Sequence, residues 1–263
     1  MMVTTCSFGK FGLVKKILQV KIALFIPCYI DQFYPDVAKA TYFLLKKLGL
    51  SVDVPSGQTC CGQPMANSGY NHLSASCNKH FTGIFQGYDF IVSPSASCVL
   101  HIREHLSSDN YPDQAESIRK QTFELTEFMT DILKVDQLNA RFPHRVGIHQ
   151  GCHGLRGLHL AGMSETMLPP FSKPEQLLHL VSGIEICYPE RIDECCGFGG
   201  SFCVFEEAVS VSMGESRISE HEKNQVEFIT SNDMSCLMHL EGILKRKKSP
   251  VRVKHIAEIL NQE

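Results

Sequence analysis

The sequence predicts an α/β protein made of two tandem, pseudo-symmetric repeats, each a small, mostly parallel sheet with flanking helices. Three observations carry that expectation. Apolar strand-like runs alternate with helix-like stretches along the chain, the pattern of parallel sheets joined by crossover helices. The order of segments is written twice. The triplet Cys-Cys-Gly stands at the same place in each copy, at residues 60–62 and 195–197.

Residues 1–19 read as an N-terminal extension, without the continuous apolar run and small-residue cleavage site of a secretory signal. The first repeat is expected over residues 20–134 and opens with "VKIALFIPC", a buried-strand pattern ending at Cys28. A helix-like "DVAKATYFLLKKLG" follows, then a short strand "LSVDVP", then Cys60-Cys61-Gly62. A further helical stretch leads to "YDFIVSPSASC", a strand ending near Cys98, and the repeat closes on "TFELTEFMTDIL". "VDQLNARFP", residues 135–143, is the linker. The second repeat, 144–263, has "RVGIHQGC" ending at Cys152, "IEICYP", Cys195-Cys196-Gly197, "VEFITSNDMSC" ending at Cys236, and a closing "VRVKHIAEIL".

Composition excludes several classes of function. A formal net charge of −3 offers no basic field for nucleic acid. The run Lys245-Arg246-Lys247-Lys248 follows "MHLEGIL", where the C-terminus of a helix favours cations; an anionic partner or membrane surface is the alternative. No stretch approaches the ~20 apolar residues of a membrane helix. Twelve cysteines are the outlier. Six disulfides in an exported protein fit badly, because a chain of this size needs no covalent staples and a cytoplasmic location is expected. In that reducing compartment clustered thiols are more often metal ligands or redox groups. Cys6, Cys77, Cys187 and Cys203 read as inert small hydrophobes, Cys203 being near enough to the glycine loop to border a cofactor.

The other eight cysteines fall at matched places. Cys28, Cys60, Cys61 and Cys98 lie just beyond the carboxyl ends of successive strands, and so do Cys152, Cys195, Cys196 and Cys236. In open α/β sheets that edge is where ligands bind, so each set should converge on one site. Such a site suits a structural zinc ion or an iron-sulfur cluster. Structural zinc favours spaced pairs such as C-x2-C. Adjacent cysteines project apart, a difficulty for one small ion that a cluster of several irons relieves. Gly62 and Gly197 admit positive φ and would let backbone N–H groups approach sulfur. "GFGGS" lacks the full dinucleotide fingerprint.

The pattern C…CCG…C, present twice, resembles the CCG or cysteine-rich domain of the heterodisulfide reductases and of the iron-sulfur proteins of glycolate and anaerobic glycerol-3-phosphate oxidation. The segments "CCGQPMANSGY", "PSASC", "GCHGLRGL", "CCGFGGSF" and "SNDMSCLMHLEG" resemble the lactate-utilization members of that family more closely. The resemblance implies a cytoplasmic iron-sulfur protein that acts with two partner subunits, one a further iron-sulfur protein, in oxidising L-lactate to pyruvate. The full family pattern ends in C-x-x-C and holds a non-cubane cluster with five thiolates. This chain instead has Ser95-Ala-Ser-Cys98 and Asp233-Met-Ser-Cys236. Four cysteines per site suit a [4Fe-4S] cluster in each repeat, with oxygen ligation by Ser95 or Asp233 open and zinc an alternative in one site. Electron transfer is the expected role; a cluster-based thiol-disulfide reductase and a zinc-stabilised scaffold are the alternatives. His101 and His239 each stand three residues after the last cysteine of a repeat, one helical turn along the same face, where a hydrogen-bonding or a structural part is open. Arg156, after Cys152, reads as a surface ion-pair former or as a positive charge beside the thiolates or a carboxylate substrate.

Overall fold

The computed structural model describes residues 20–167 and 169–263; the N-terminal extension and Cys6 lie outside them. Two four-stranded sheets follow one plan. The first has β1 (Ile22–Leu24), β2 (Val52–Asp53), β3 (Phe90–Ser93) and β4 (Thr122–Glu124) in the order β2-β1-β3-β4. The second has β5 (Arg145–Ile148), β6 (Glu185–Cys187), β7 (Phe228–Ser231) and β8 (Arg252–His255) in the order β6-β5-β7-β8. Every strand pair is parallel. The central strands are buried apart from the first residues of β3 and β5, as sheets covered by helices on both faces require. The order reverses between β1 and β3, and again between β5 and β7, which opens a crevice at the carboxyl edge of each sheet.

The helices that matter for the sites are α1 (Cys28–Phe33), α2 (Pro35–Lys47), α3 (Gln63–Asn67), α4 (Ala75–Phe85) and α5 (Ala96–His105) in the first repeat. In the second they are α6 (Lys173–Leu178), α7 (Glu207–Lys223), α8 (Met234–Lys247) and α9 (Ile256–Leu260). Helix α8 ends with Lys245, Arg246 and Lys247 in its last turn, the helix end expected of that basic run.

One apolar core runs through both repeats. It joins Ile22, Leu24, Leu44 and Leu45 of the first to Val146, Ile148, Leu177, Leu178, Ile256 and Leu260 of the second. The closing helices are exchanged: α9 packs against α2, and the helical turn Leu125–Glu127 that ends the first repeat packs against α6. Ion pairs Lys47–Glu263 (2.9 Å) and Lys173–Asp131 (2.6 Å) edge the two junctions. Partly exposed pairs of this kind are worth about 0–1 kcal/mol each, whereas each buried aliphatic side chain contributes about 1.5–3 kcal/mol, so apolar burial holds the exchange together. The segment expected to be a linker is part of this seam. Ala140 and Phe142 are buried, and Arg141 N–H donates to the Gln262 carbonyl at 2.9 Å.

Candidate metal centres

The first cysteine of each repeat follows the first strand by a short loop. Cys28 opens α1 after β1, and Cys152 holds the equivalent place after β5, at the head of a wide helical turn, His153–Gly157. The adjacent pairs sit in the loops after β2 and β6. The last cysteines, Cys98 and Cys236, lie in the first turns of α5 and α8, after β3 and β7. All eight therefore stand at the carboxyl edges.

Within each site the thiols neighbour one another in a chain, each close enough to shift the ionisation of a neighbour. In the first repeat it runs Cys28, Cys60, Cys61, Cys98. In the second it runs Cys152, Cys195, Cys196, Cys236, the same order of matched residues. Burial follows a common gradient, with Cys61, Cys98, Cys196 and Cys236 buried and Cys28, Cys60, Cys152 and Cys195 reached by solvent. Four thiols so crowded do not share negative charge readily. The neighbouring Cys28 and Cys61 thiols pull Cys60 down to about 2, and those of Cys152 and Cys196 do the same for Cys195. Cys28 and Cys152 are pushed up by that neighbouring thiol and then by burial. A bound metal removes the conflict, because coordination deprotonates each thiol and its positive charge offsets the repulsion. The donor set thus fits a thiolate-ligated metal centre in each repeat.

The glycines after the pairs have the geometry the chemistry asks for. Gly62 (φ +96°) and Gly197 (φ +88°) are left-handed, and each donates its N–H at 3.4 Å to the sulfur two residues back, Cys60 and Cys195 respectively. A β-carbon on Gly197 would lie 2.7 Å from the Ser210 carbonyl oxygen and from Met213 Cβ.

Ser95 and Asp233 stand opposite each other where the repeats meet, joined by an isolated antiparallel bridge. They are the N-caps of α5 and α8, the Ser95 oxygen accepting from Cys98 N–H and the Asp233 carboxylate from Ser235 N–H. The Tyr29 hydroxyl reaches both, at 3.1 Å each, and Asp233 also accepts from Ser97 N–H at 2.7 Å. These oxygens are committed to capping and to the seam. Cys98 and Cys236 each lie three residues beyond it, so the two centres are set on either side of one hydrogen-bonded junction.

Other expected residues divide. His101 is buried beside the first site, its Nε2 3.5 Å from where a Gly62 β-carbon would lie; burial first and His105 second lower it to about 4. His239 instead lies against helix α7, with Nε2 3.2 Å from the Ser210 carbonyl. Arg156 pairs with Glu165 at 3.2 Å and donates to the Asp193 carbonyl at 3.1 Å, close enough to Cys152 to favour its ionised form. Cys187 is a buried strand residue, and Cys203 donates its thiol to the Gly200 carbonyl at 3.0 Å. Cys77 is nearer the first site than expected, the Cys60 charge adding to burial in raising it. His149 is a residue that the sequence pattern does not single out. It is buried, and its ring lies with the sulfurs of Cys196 and Cys236 in a group whose ligand atoms are all within 4.8 Å of one another. Alignment of "ALFIPC" with "GIHQGC" would have shown it, as a histidine in one repeat facing a phenylalanine in the other.

The paired sheets and paired four-thiol sites define a duplicated cysteine-rich domain. A profile of that family, described as CCG, cysteine-rich domain, matches residues 22–103 and 146–241, and the chain belongs to this family. Relatives found within it include lactate utilization protein A chains. That of Geobacillus sp. strain WCH70 is 37% identical over 246 residues, covering 92% of this chain and 99% of the relative. That of Bacillus subtilis strain 168 is also 37% identical, with the same coverage, and that of Exiguobacterium sp. strain AT1b is 38% identical, covering 92% and 97%. Among solved structures, glutamate racemase isoform RacE1 from Bacillus anthracis aligns with 93% of this chain and 79% of its own, at TM-score 0.36 and 9% identity, too distant to bear on function.

Proposed function

We propose that the chain is an iron-sulfur electron-transfer subunit of a lactate-utilization system that oxidises L-lactate to pyruvate, with one [4Fe-4S] cluster in each repeat. The observation that carries the reading is the repeated chain of four neighbouring thiols, Cys28-Cys60-Cys61-Cys98 and Cys152-Cys195-Cys196-Cys236, at matched sheet edges. The name shared by the relatives supplies lactate. Two clusters would together store two electrons, the number that leaves L-lactate, with two protons, when it becomes pyruvate. The chain's own residues set the conditions for that storage. Gly62 and Gly197 donate hydrogen bonds to sulfur, which favours the more negative, reduced form. Arg156 adds positive charge near Cys152. The buried cysteines shield one side of each site, and Cys28, Cys60, Cys152 and Cys195 open the other toward a redox partner. The partners in this reading are two further lactate-utilization subunits, one of them an iron-sulfur protein, and the setting is the cytoplasm.

Anaerobic purification with iron, sulfide and zinc analysis tests it. The expected content is about eight irons and eight sulfides per chain, with an EPR signal on reduction. Zinc without sulfide would instead make both sites structural.

A further inference from the structure

The two centres are built from the same cysteines but not on the same floor. Phe25 and His149 occupy the matched position one residue past β1 and β5. Phe25 N–H donates to the Val92 carbonyl and His149 N–H to the Thr230 carbonyl, both at 2.8 Å. In the first repeat Phe25 packs edge-on against Phe81 and Phe85 of α4, at centroid distances of 5.0 and 5.6 Å. In the second repeat, α7 turns His221 and Arg217 inward instead. His221 lies over Gly147, where a side chain would collide with its ring. Arg217 is fully buried, donates to the Arg191 carbonyl, and has Glu194 3.9 Å away. An apolar triad has become a polar one.

Among the described residues His149 has no hydrogen-bond partner at either ring nitrogen, although it is 1% exposed. Leaving a buried polar group unpaired costs about 1–3 kcal/mol. Phenylalanine at the matched position shows that the fold itself does not need an imidazole there. A neutral imidazole has a lone pair to donate. A free ring nitrogen lies beside the two buried thiols of the site, with one ligand atom each of His149, Cys196 and Cys236 within 4.8 Å of one another.

We propose that His149 is a fifth ligand of the second centre, donating an imidazole nitrogen to metal beside Cys152, Cys195, Cys196 and Cys236. The first centre, with Phe25 at the matched position, keeps four thiolates. The duplicated protein therefore carries two chemically different centres, and the second, with the positive charge of the buried Arg217 behind it, is the more readily reduced. This rests on the reading of the sites as iron-sulfur centres.

Pulsed EPR of the reduced, anaerobically purified full chain, grown with natural-abundance or with 15N-labelled histidine, tests it. The expected result is a nitrogen coupling of metal-bound imidazole that changes with the isotope, is lost in His149→Phe, and survives in His101→Ala/His239→Ala. Should His149→Phe fail to fold, the unlabelled and labelled wild type and the double variant still decide, because loss of the coupling in the double variant would assign it elsewhere. Iron and sulfide at both sites with no imidazole coupling, or a coupling that persists in His149→Phe, overturns the ligation alone. A chain that binds no iron overturns the electron-transfer reading and the ligation together.

Discussion

Gly62 and Gly197 do the same work under different constraints. Both are left-handed and both present an N–H to sulfur, but their surroundings differ. A β-carbon on Gly62 would come 3.1 Å from Ser74 Cβ, a side-chain contact that a small movement of the α3–α4 connection relieves. On Gly197 it would come 2.7 Å from a backbone oxygen of α7. Backbone strain alone costs about 1–3 kcal/mol. Gly197→Ala is therefore expected to lower stability and metal retention at the second site by more than Gly62→Ala does at the first. Thermal melts and metal-to-protein ratios of the two variants check the order. The role of these glycines was legible from the sequence, because a turn glycine beside a cysteine pair is a local pattern. That of His149 was not, because one histidine after a strand reads as ordinary core until its counterpart is known.

At the scale of elements, the two repeats cap their closing helices with different buried groups. Glu124 caps the turn Leu125–Glu127, its carboxylate accepting from the Thr126 and Glu127 N–H groups, and His255 caps α9 in a capping box with Glu258. Burial raises Glu124 to about 8, against the partly offsetting Thr126 hydroxyl. Its folded value lies above the unfolded one of 4.5, so the folded state holds a proton that the unfolded state has lost at neutral pH. The stability this group contributes is full below about pH 4.5 and declines as pH rises toward about 8. Glu124→Gln keeps a carbonyl acceptor for the cap and cannot ionise. Its melting temperature is expected to match the wild type near pH 5 and exceed it increasingly up to about pH 8; parallel melts across that range check the divergence. The strands and the long helices α2 and α8 were readable from period and composition. The inward turn of α7 in the second repeat was not, because Arg217 and His221 on a polar helix look like surface residues until Gly147 is seen to make room.

For the molecule as a whole, the decisive feature is that the repeats share one core. Sequence duplication suggests two independent units joined by a linker, and the strand order bears out the duplication. The independence does not follow, because Leu44 and Leu45 are covered by α9, and Leu177 and Leu178 lie in the same cluster with Leu125 and Phe128. Nothing local marks such an exchange, since any amphipathic helix offers the same leucines and isoleucines to whatever surface lies near. A chain of residues 20–143 has the four cysteines of the first site but lacks α6 and α9. It is expected to show no cooperative unfolding transition in urea, while the full chain unfolds in one step; circular dichroism of both distinguishes the cases.

The exchange of closing helices also sets a schedule. The first site has all its thiols once residue 98 has been made, yet the core beneath it closes only when residues 256–260 fold back onto α2. During synthesis the early cysteines therefore wait on an unfinished scaffold while the second half emerges. Both centres become ready to be loaded at the same late moment, and a nascent chain stalled partway offers exposed thiols without the enclosure that would hold a metal in place.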